Sequence, residues 1–170
     1  MSIEVPGSEA PGPEVRWVAA DDPVLAPLVE DLGREYDLRY APTDGVPSSA
    51  ELTRYPPALF AAPAGGAFVA VLDGGVLVAG GAIKRGATGA GELKRMWTSP
   101  DRRRQGLAGR VLGLLEERAA ALGYRRLELT TGARQPEAVA LYLRHGWTPG
   151  FDPAVPQDEA ASLAFTKTLR

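Results

Sequence analysis

The sequence predicts one α/β domain in which a mixed sheet carries helices on both sides, and three stretches predict it. Residues 67–72 and 76–84 are apolar runs joined by Asp73-Gly74-Gly75, a tight hairpin turn. Residues 93–98 read as a further strand, followed by the turn Ser99-Pro100-Asp101 and a basic, glycine-containing segment. From Leu107 the apolar residues Leu107, Val111, Leu114, Leu115, Ala119 and Leu122 fall on one helical stripe, which Gly123 closes. Strands that feed a long amphipathic helix, with more strands to follow, belong to a layered α/β architecture.

The remaining elements follow in order. Residues 1–14 contain Pro6, Gly7, Pro11, Gly12 and Pro13 and form an expected flexible lead-in to a single domain over 15–170. Residues 15–19 are a short strand. Asp21 or Asp22 caps a helix with Pro23 in its first turn, continuing through Leu25, Leu28, Val29, Leu32 and Tyr36. Residues 41–47 are rich in turn formers, and Ser48 or Ser49 caps a short second helix over 50–54 before Pro56-Pro57. A glycine-rich turn over 86–91 enters the strand that holds Glu92. Residues 126–131 alternate through Leu127 and Leu129 as a strand, and 136–144 form a helix ended by His145-Gly146. Residues 147–151 start a strand or loop, 152–160 are a polar loop, and 162–169 alternate as the last strand.

Composition narrows the chemistry. A chain of 170 residues is long enough for one well-packed core. The formal net charge of −2 gives no general attraction to nucleic acid or membrane. There is no cysteine, which excludes disulfides, thiolate metal sites and a cysteine nucleophile, and the single His145 excludes a histidine-rich metal cluster. No apolar run approaches membrane-spanning length and the N-terminus lacks a signal-peptide core, so a cytoplasmic protein is expected.

Positive charge is instead local, at Lys94, Arg95, Arg102, Arg103 and Arg104. The arginines stand where a strand gives way to a helix. Free N–H groups at a helix start attract anions, and Gly106 and Gly109 permit close approach. The segment therefore reads as a phosphate site. Taken without its helix, the same run would equally be a solvated charge patch or a nucleic-acid contact.

Arg103-Arg104-Gln105-Gly106-Leu107-Ala108 fits the Arg/Gln-x-x-Gly-x-Gly/Ala signature of the GNAT superfamily of N-acetyltransferases. About thirty residues on, residues 138–147 (Ala-Val-Ala-Leu-Tyr-Leu-Arg-His-Gly-Trp) resemble that family's A-x-x-L-Y-x-x-x-G-aromatic element. The resemblance runs from about residue 67 to Trp147 and more loosely to both ends. It implies a GNAT-like, mostly antiparallel central sheet of about six to seven strands flanked by about four helices.

It further implies acetyl-CoA as co-substrate, no metal, and an amine acceptor, either a small molecule or a peptide. The acceptor's identity and a homodimer both stay open. The cofactor's pantetheine would pair with the backbone of Met96, Trp97 and Thr98. Its pyrophosphate would sit on Arg103, Arg104, Gln105, Gly106, Leu107, Ala108, Gly109 and Arg110. Gln135 replaces an asparagine that often touches the cofactor, keeping an amide with a different reach. Tyr142 would give the leaving thiolate a proton, its reference pKa of about 10 standing against about 8.5 for a thiol; the alternative is a helix tyrosine packed on the sheet. Glu92, eleven residues before Arg103, matches a glutamate that takes the amine's proton, and is otherwise a solvated hairpin-end residue. His145 competes as base but suits a helix C-cap. Glu35, Tyr36, Asp37, Tyr40 and Asp44 fall where an acceptor would be met, or else form a solvated helix face and turn. A non-catalytic acetyl-CoA sensor of the same fold is the binding-class alternative.

Overall fold

Strand β3 (Val76–Arg85) is buried along every residue except its two ends, because its Ala79-Gly80-Gly81-Ala82 centre is small enough to be covered on both faces. The computed structural model describes residues 12–170, so most of the expected lead-in lies outside the described residues. Seven strands form one sheet: β1 (Glu14–Trp17), β2 (Ala67–Asp73), β3, β4 (Gly91–Thr98), β5 (Arg126–Gly132), β6 (Thr148–Pro149) and β7 (Ser162–Thr168). Their order is β1-β2-β3-β4-β5-β7-β6, and every neighbouring pair is antiparallel except β4 with β5.

Period-two alternation assigns the two faces. Phe68, Ala70 and Leu72 of β2 join Leu28 and Leu32 of helix α1 (Ala26–Arg39) in one core. Val69 and Val71 point the other way, onto Val111, Leu115 and Ala119 of helix α2 (Leu107–Ala121). Helix α3 (Pro136–Arg144) packs on that same side and sends Tyr142 into its core. The predicted stripe on α2 is therefore its buried face, although Leu114 and Leu122 lie at its margin and Leu112 is buried in addition. No helix among the described residues is long and apolar enough to cross a membrane.

Two elements differ from expectation. Asp22 does cap, accepting from the Val24 N–H at 2.9 Å, but it opens a 3-10 turn (Pro23–Leu25) that runs on into α1. The second helix is also a 3-10 segment, Ser48–Thr53, since Pro47 and Pro56 leave too few residues between them to nucleate an α-helix. Over 147–151, read as a strand or a loop, only Thr148–Pro149 is strand; Pro149 cannot donate to the ladder.

Leu112 is 1% exposed and ties α2 to the sheet. Leu112→Ala should lower the unfolding free energy by about 2–5 kcal/mol, the usual range for emptying a leucine-sized core site. Urea denaturation at constant m-value checks this; a change below about 1 kcal/mol would mean that the helix collapses onto the space.

Candidate functional site

A parallel pair of strands that comes apart creates the site. β4 and β5 pair only at Gly91 with Leu127 and Glu92 with Glu128, although both strands continue for several residues. Beyond Glu92 they diverge around a cleft of about 1280 Å³, with Met96, Trp97 and Thr98 on one wall and Leu129, Thr130 and Thr131 on the other. On its opposite edge β4 carries a β-bulge. Gly80 stands opposite Trp97 and Ala82 opposite Lys94, so Arg95 and Met96 share the place facing Gly81. Arg95 takes φ 62°, a left-handed conformation uncommon for a residue with a Cβ. The extra residue breaks the alternation, putting Leu93 in the α2 core and Trp97 in the α1 core. It also sends two consecutive cations, Lys94 and Arg95, to one carboxylate on the Ser48–Thr53 segment: Glu51 lies 3.1 Å from Lys94 Nζ and 2.8 Å from Arg95 Nη1.

The loop after β4 supplies a row of free donors. The Arg102 N–H bonds Ser99 O at 2.9 Å and the Arg110 N–H bonds Gly106 O at 3.1 Å; from 103 to 109 no backbone N–H has a partner among the described residues. Gly106 caps α2 with φ 77° and no side-chain cap, and Arg104 has φ 62°. Such turns gather N–H groups into a concave, electropositive surface. The arginines divide their tasks. Arg102 pairs with Asp73 at 2.7 Å and Arg103 with Glu35 at 2.8 Å, whereas Arg104 is exposed and makes no ion pair among the described residues.

Tyr142 stands across the cleft, 5% exposed, with its ring on Trp147 (5.9 Å) and Phe165 (5.4 Å). Burial, and then the nearby Tyr36, push its phenol far above the ordinary range. Tyr36 is raised as well, by burial first and then by Glu51. Burial pulls the Lys94 ammonium down, but Glu51 and Glu92 together outweigh it and leave the group more firmly charged. At the far end, α1 is bridged to the loop before α3. Arg39 Nη1 donates to Arg134 O at 3.1 Å, Arg134 Nη1 donates to Arg39 O at 2.9 Å, and Gln135 Nε2 donates to Tyr40 Oη at 3.3 Å.

Of the residues singled out from the sequence, Met96, Trp97, Thr98, Arg103, Arg104, Gly106, Leu107, Ala108, Gly109, Gln135, Tyr142, Glu35, Tyr36 and Tyr40 all line this cleft. Gln105 and Arg110 do not; Arg110 turns toward Pro13 O at 3.5 Å. Asp37 is instead committed to the Ser49 N–H at 2.8 Å, and Asp44 occupies a turn with φ 52°. Glu92 lies apart from the residues that line the cleft. Its carboxylate is held by Lys94 at 3.1 Å and Lys84 at 3.3 Å and does not line the cleft; Glu92 stands at the last β4–β5 pair, before the strands part. His145 caps α3, as its helix-end position suggested, although its ring lies against Gly109 at the cleft. Glu51, the carboxylate that does reach the cleft from the lysine cluster, had no local signal. The adjacent Lys94 and Arg95 in a strand were its only trace.

Splayed strands, a loop of free N–H donors and a buried tyrosine beside them define an α/β domain with one extended, electropositive cleft. The chain belongs to the acetyltransferase (GNAT) family, whose model matches residues 29–147. It is similar to the IAA acetyltransferase of Azospirillum brasilense, 36% identical over 81 residues, which are 47% of this chain and 53% of that protein. The chain thus matches about half the length of that relative. A Klebsiella pneumoniae protein named provisionally as an acyl-CoA N-acyltransferase shares its structure with TM-score 0.70 and 26% identity, over 93% of this chain and 98% of the other. The phosphinothricin acetyltransferase of Sinorhizobium meliloti, solved with AcCoA, superposes with TM-score 0.62 over 92% of this chain and 88% of that one. At 20% identity that likeness is one of fold.

A tyrosine whose folded-state pKa is raised stabilises the fold fully below the unfolded value of about 10, and that stability is lost as pH rises above it. Urea midpoints of the wild type should therefore fall between about pH 9 and 11. Tyr142→Phe should fall less steeply; parallel slopes would place the raised pKa on another group.

Proposed function

We propose that the protein is an acetyl-CoA-dependent N-acetyltransferase that acetylates a primary amine by direct attack in a ternary complex. The unpartnered N–H groups from 103 to 109, set beside splayed strands, carry the reading. The residues present fit such a ligand. The donor row suits a pyrophosphate, Arg104 adds an uncommitted charge, and a Cβ added at Gly106 would meet nothing within 4 Å. The free edge of β4 at Met96, Trp97 and Thr98 suits an amide-bearing arm. Acetyl-CoA supplies an acetyl group activated as a thioester.

The protein's own groups supply binding, orientation and one proton. Tyr142 holds its proton at Oη because burial disfavours the phenolate, so it remains a hydrogen-bond donor to a departing thiolate at neutral pH, and the proton shed by the attacking nitrogen makes good the one that the thiolate takes up. No Ser–His or cysteine nucleophile is needed for direct attack. Glu35, Tyr36 and Tyr40 form the wall that an acceptor would meet. Glu92 is not carried forward as the base, since both carboxylate oxygens are engaged by lysines. The amine, with a reference pKa of about 10.4, then reacts through its neutral fraction, and the rate rises with pH in step with that fraction.

A thiol-release assay with acetyl-CoA across an amine panel tests the reading. Binding of acetyl-CoA without release for any amine would convert the protein into a sensor. Tyr142→Phe should lower kcat by about 10² or more with little change in acetyl-CoA affinity. Gly106→Glu should remain folded and lose acetyl-CoA binding, through obstruction and like charge; unchanged affinity by calorimetry would place the phosphates elsewhere. Glu92→Gln should keep the wild-type pH–rate profile, and a selective loss near neutral pH would restore Glu92 as base.

A further inference from the structure

We infer that Glu51 and Arg95 are a positioning pair that holds the β4 bulge, and with it the reacting strand edge, in place; this rests on the transferase reading of the cleft. The bulge needs holding. At φ 62° Arg95 sits where a side chain is disfavoured, and an L-residue there gains by slipping back into regular pairing. What opposes that slip is the Arg95 side chain itself. Its guanidinium is 6% exposed and donates to Glu51 Oε2 at 2.8 Å and to Leu52 O at 3.1 Å. Lys94 Nζ, 3.1 Å from Glu51 Oε1, fixes the second carboxylate oxygen. The fork geometry makes this a directional clamp rather than a point attraction.

A second observation comes from the partner strand. Gly80 and Gly81 face the bulge, and a Cβ at Gly81 would lie 2.8 Å from Met96 Sδ and 3.0 Å from Leu115 and Val111. The partner strand is thus pared down where Met96 crosses to the α2 face. The bulge begins three residues after the last β4–β5 pair, so its added twist helps carry Met96, Trp97 and Thr98 away from β5. Releasing the clamp would let the strand edge drift relative to Tyr142 while leaving the phosphate loop, on the far side of Ser99, untouched.

The test separates backbone positioning from any other role of the pair, because glycine adopts positive φ without assistance. Glu51→Ala should lower kcat about tenfold or more, with acetyl-CoA affinity within about threefold of wild type. The double variant Glu51→Ala/Arg95→Gly should recover most of that loss, although it has lost still more side chain. Glu51→Gln replaces Glu51→Ala in both arms if the latter does not fold. Amide hydrogen exchange over 93–98 is read on the same proteins and should quicken in the single variant and slow again in the double. Unchanged kcat and exchange in the single variant, or no recovery in the double, would overturn the inference. A wild type that fails to bind acetyl-CoA would sink the transferase reading instead, and the exchange data would still judge the clamp.

Discussion

The parallel pairing of β4 with β5 stops after Glu92, and the site depends on that interruption. Two neighbouring strands ordinarily zip along their full length, since an unpaired backbone group shielded from water costs about as much as a lost hydrogen bond. Here each strand keeps an unpaired edge facing a cleft. Each strand also pairs on its other side, β4 with β3 around the bulge and β5 with β7 along its whole length. The sheet is therefore stable while its centre offers free donors and acceptors, which an extended amide-bearing ligand can complete.

Charge is organised around the same opening. Lys84, Lys94 and Arg95 meet Glu51 and Glu92 in a partly buried cluster, and both lysine ammoniums lie over the Tyr55 ring, at 4.6 and 4.9 Å. Buried charges persist only when closely paired, so each carboxylate serves two cations. The cluster ties the Ser48–Thr53 segment to β4 through ion pairs. On the other wall Tyr142 packs on Trp147 and Phe165, and its burial disfavours the phenolate. One wall thus concentrates paired charge and the other a protonated phenol.

Much of this was legible along the chain because the signals are local. The α2 stripe, the hairpin at Gly74-Gly75, the turn at Ser99-Pro100 and the cap at Asp22 depend on neighbours within a few residues. The row of free N–H groups was legible for the same reason: glycine and arginine immediately before a helix leave backbone donors and charge together. Gly106 and Tyr142 therefore fall in the cleft where their motifs suggested.

The assignment of carboxylates was not legible. Glu92 stands at the last residue pair that β4 shares with β5, beside Lys84 and Lys94, and the point at which two strands part is set by long-range pairing. Glu51 lies 44 residues from Arg95, on a segment whose sequence shows only a short turn between prolines. By itself the sequence determined most of the elements and which strand-to-helix loop carries free N–H groups, because hydrophobic period and backbone conformation are properties of adjacent residues. Only the tertiary structure decided which carboxylate faces the cleft, because that follows from strand register and long-range ion pairing, which no local pattern encodes.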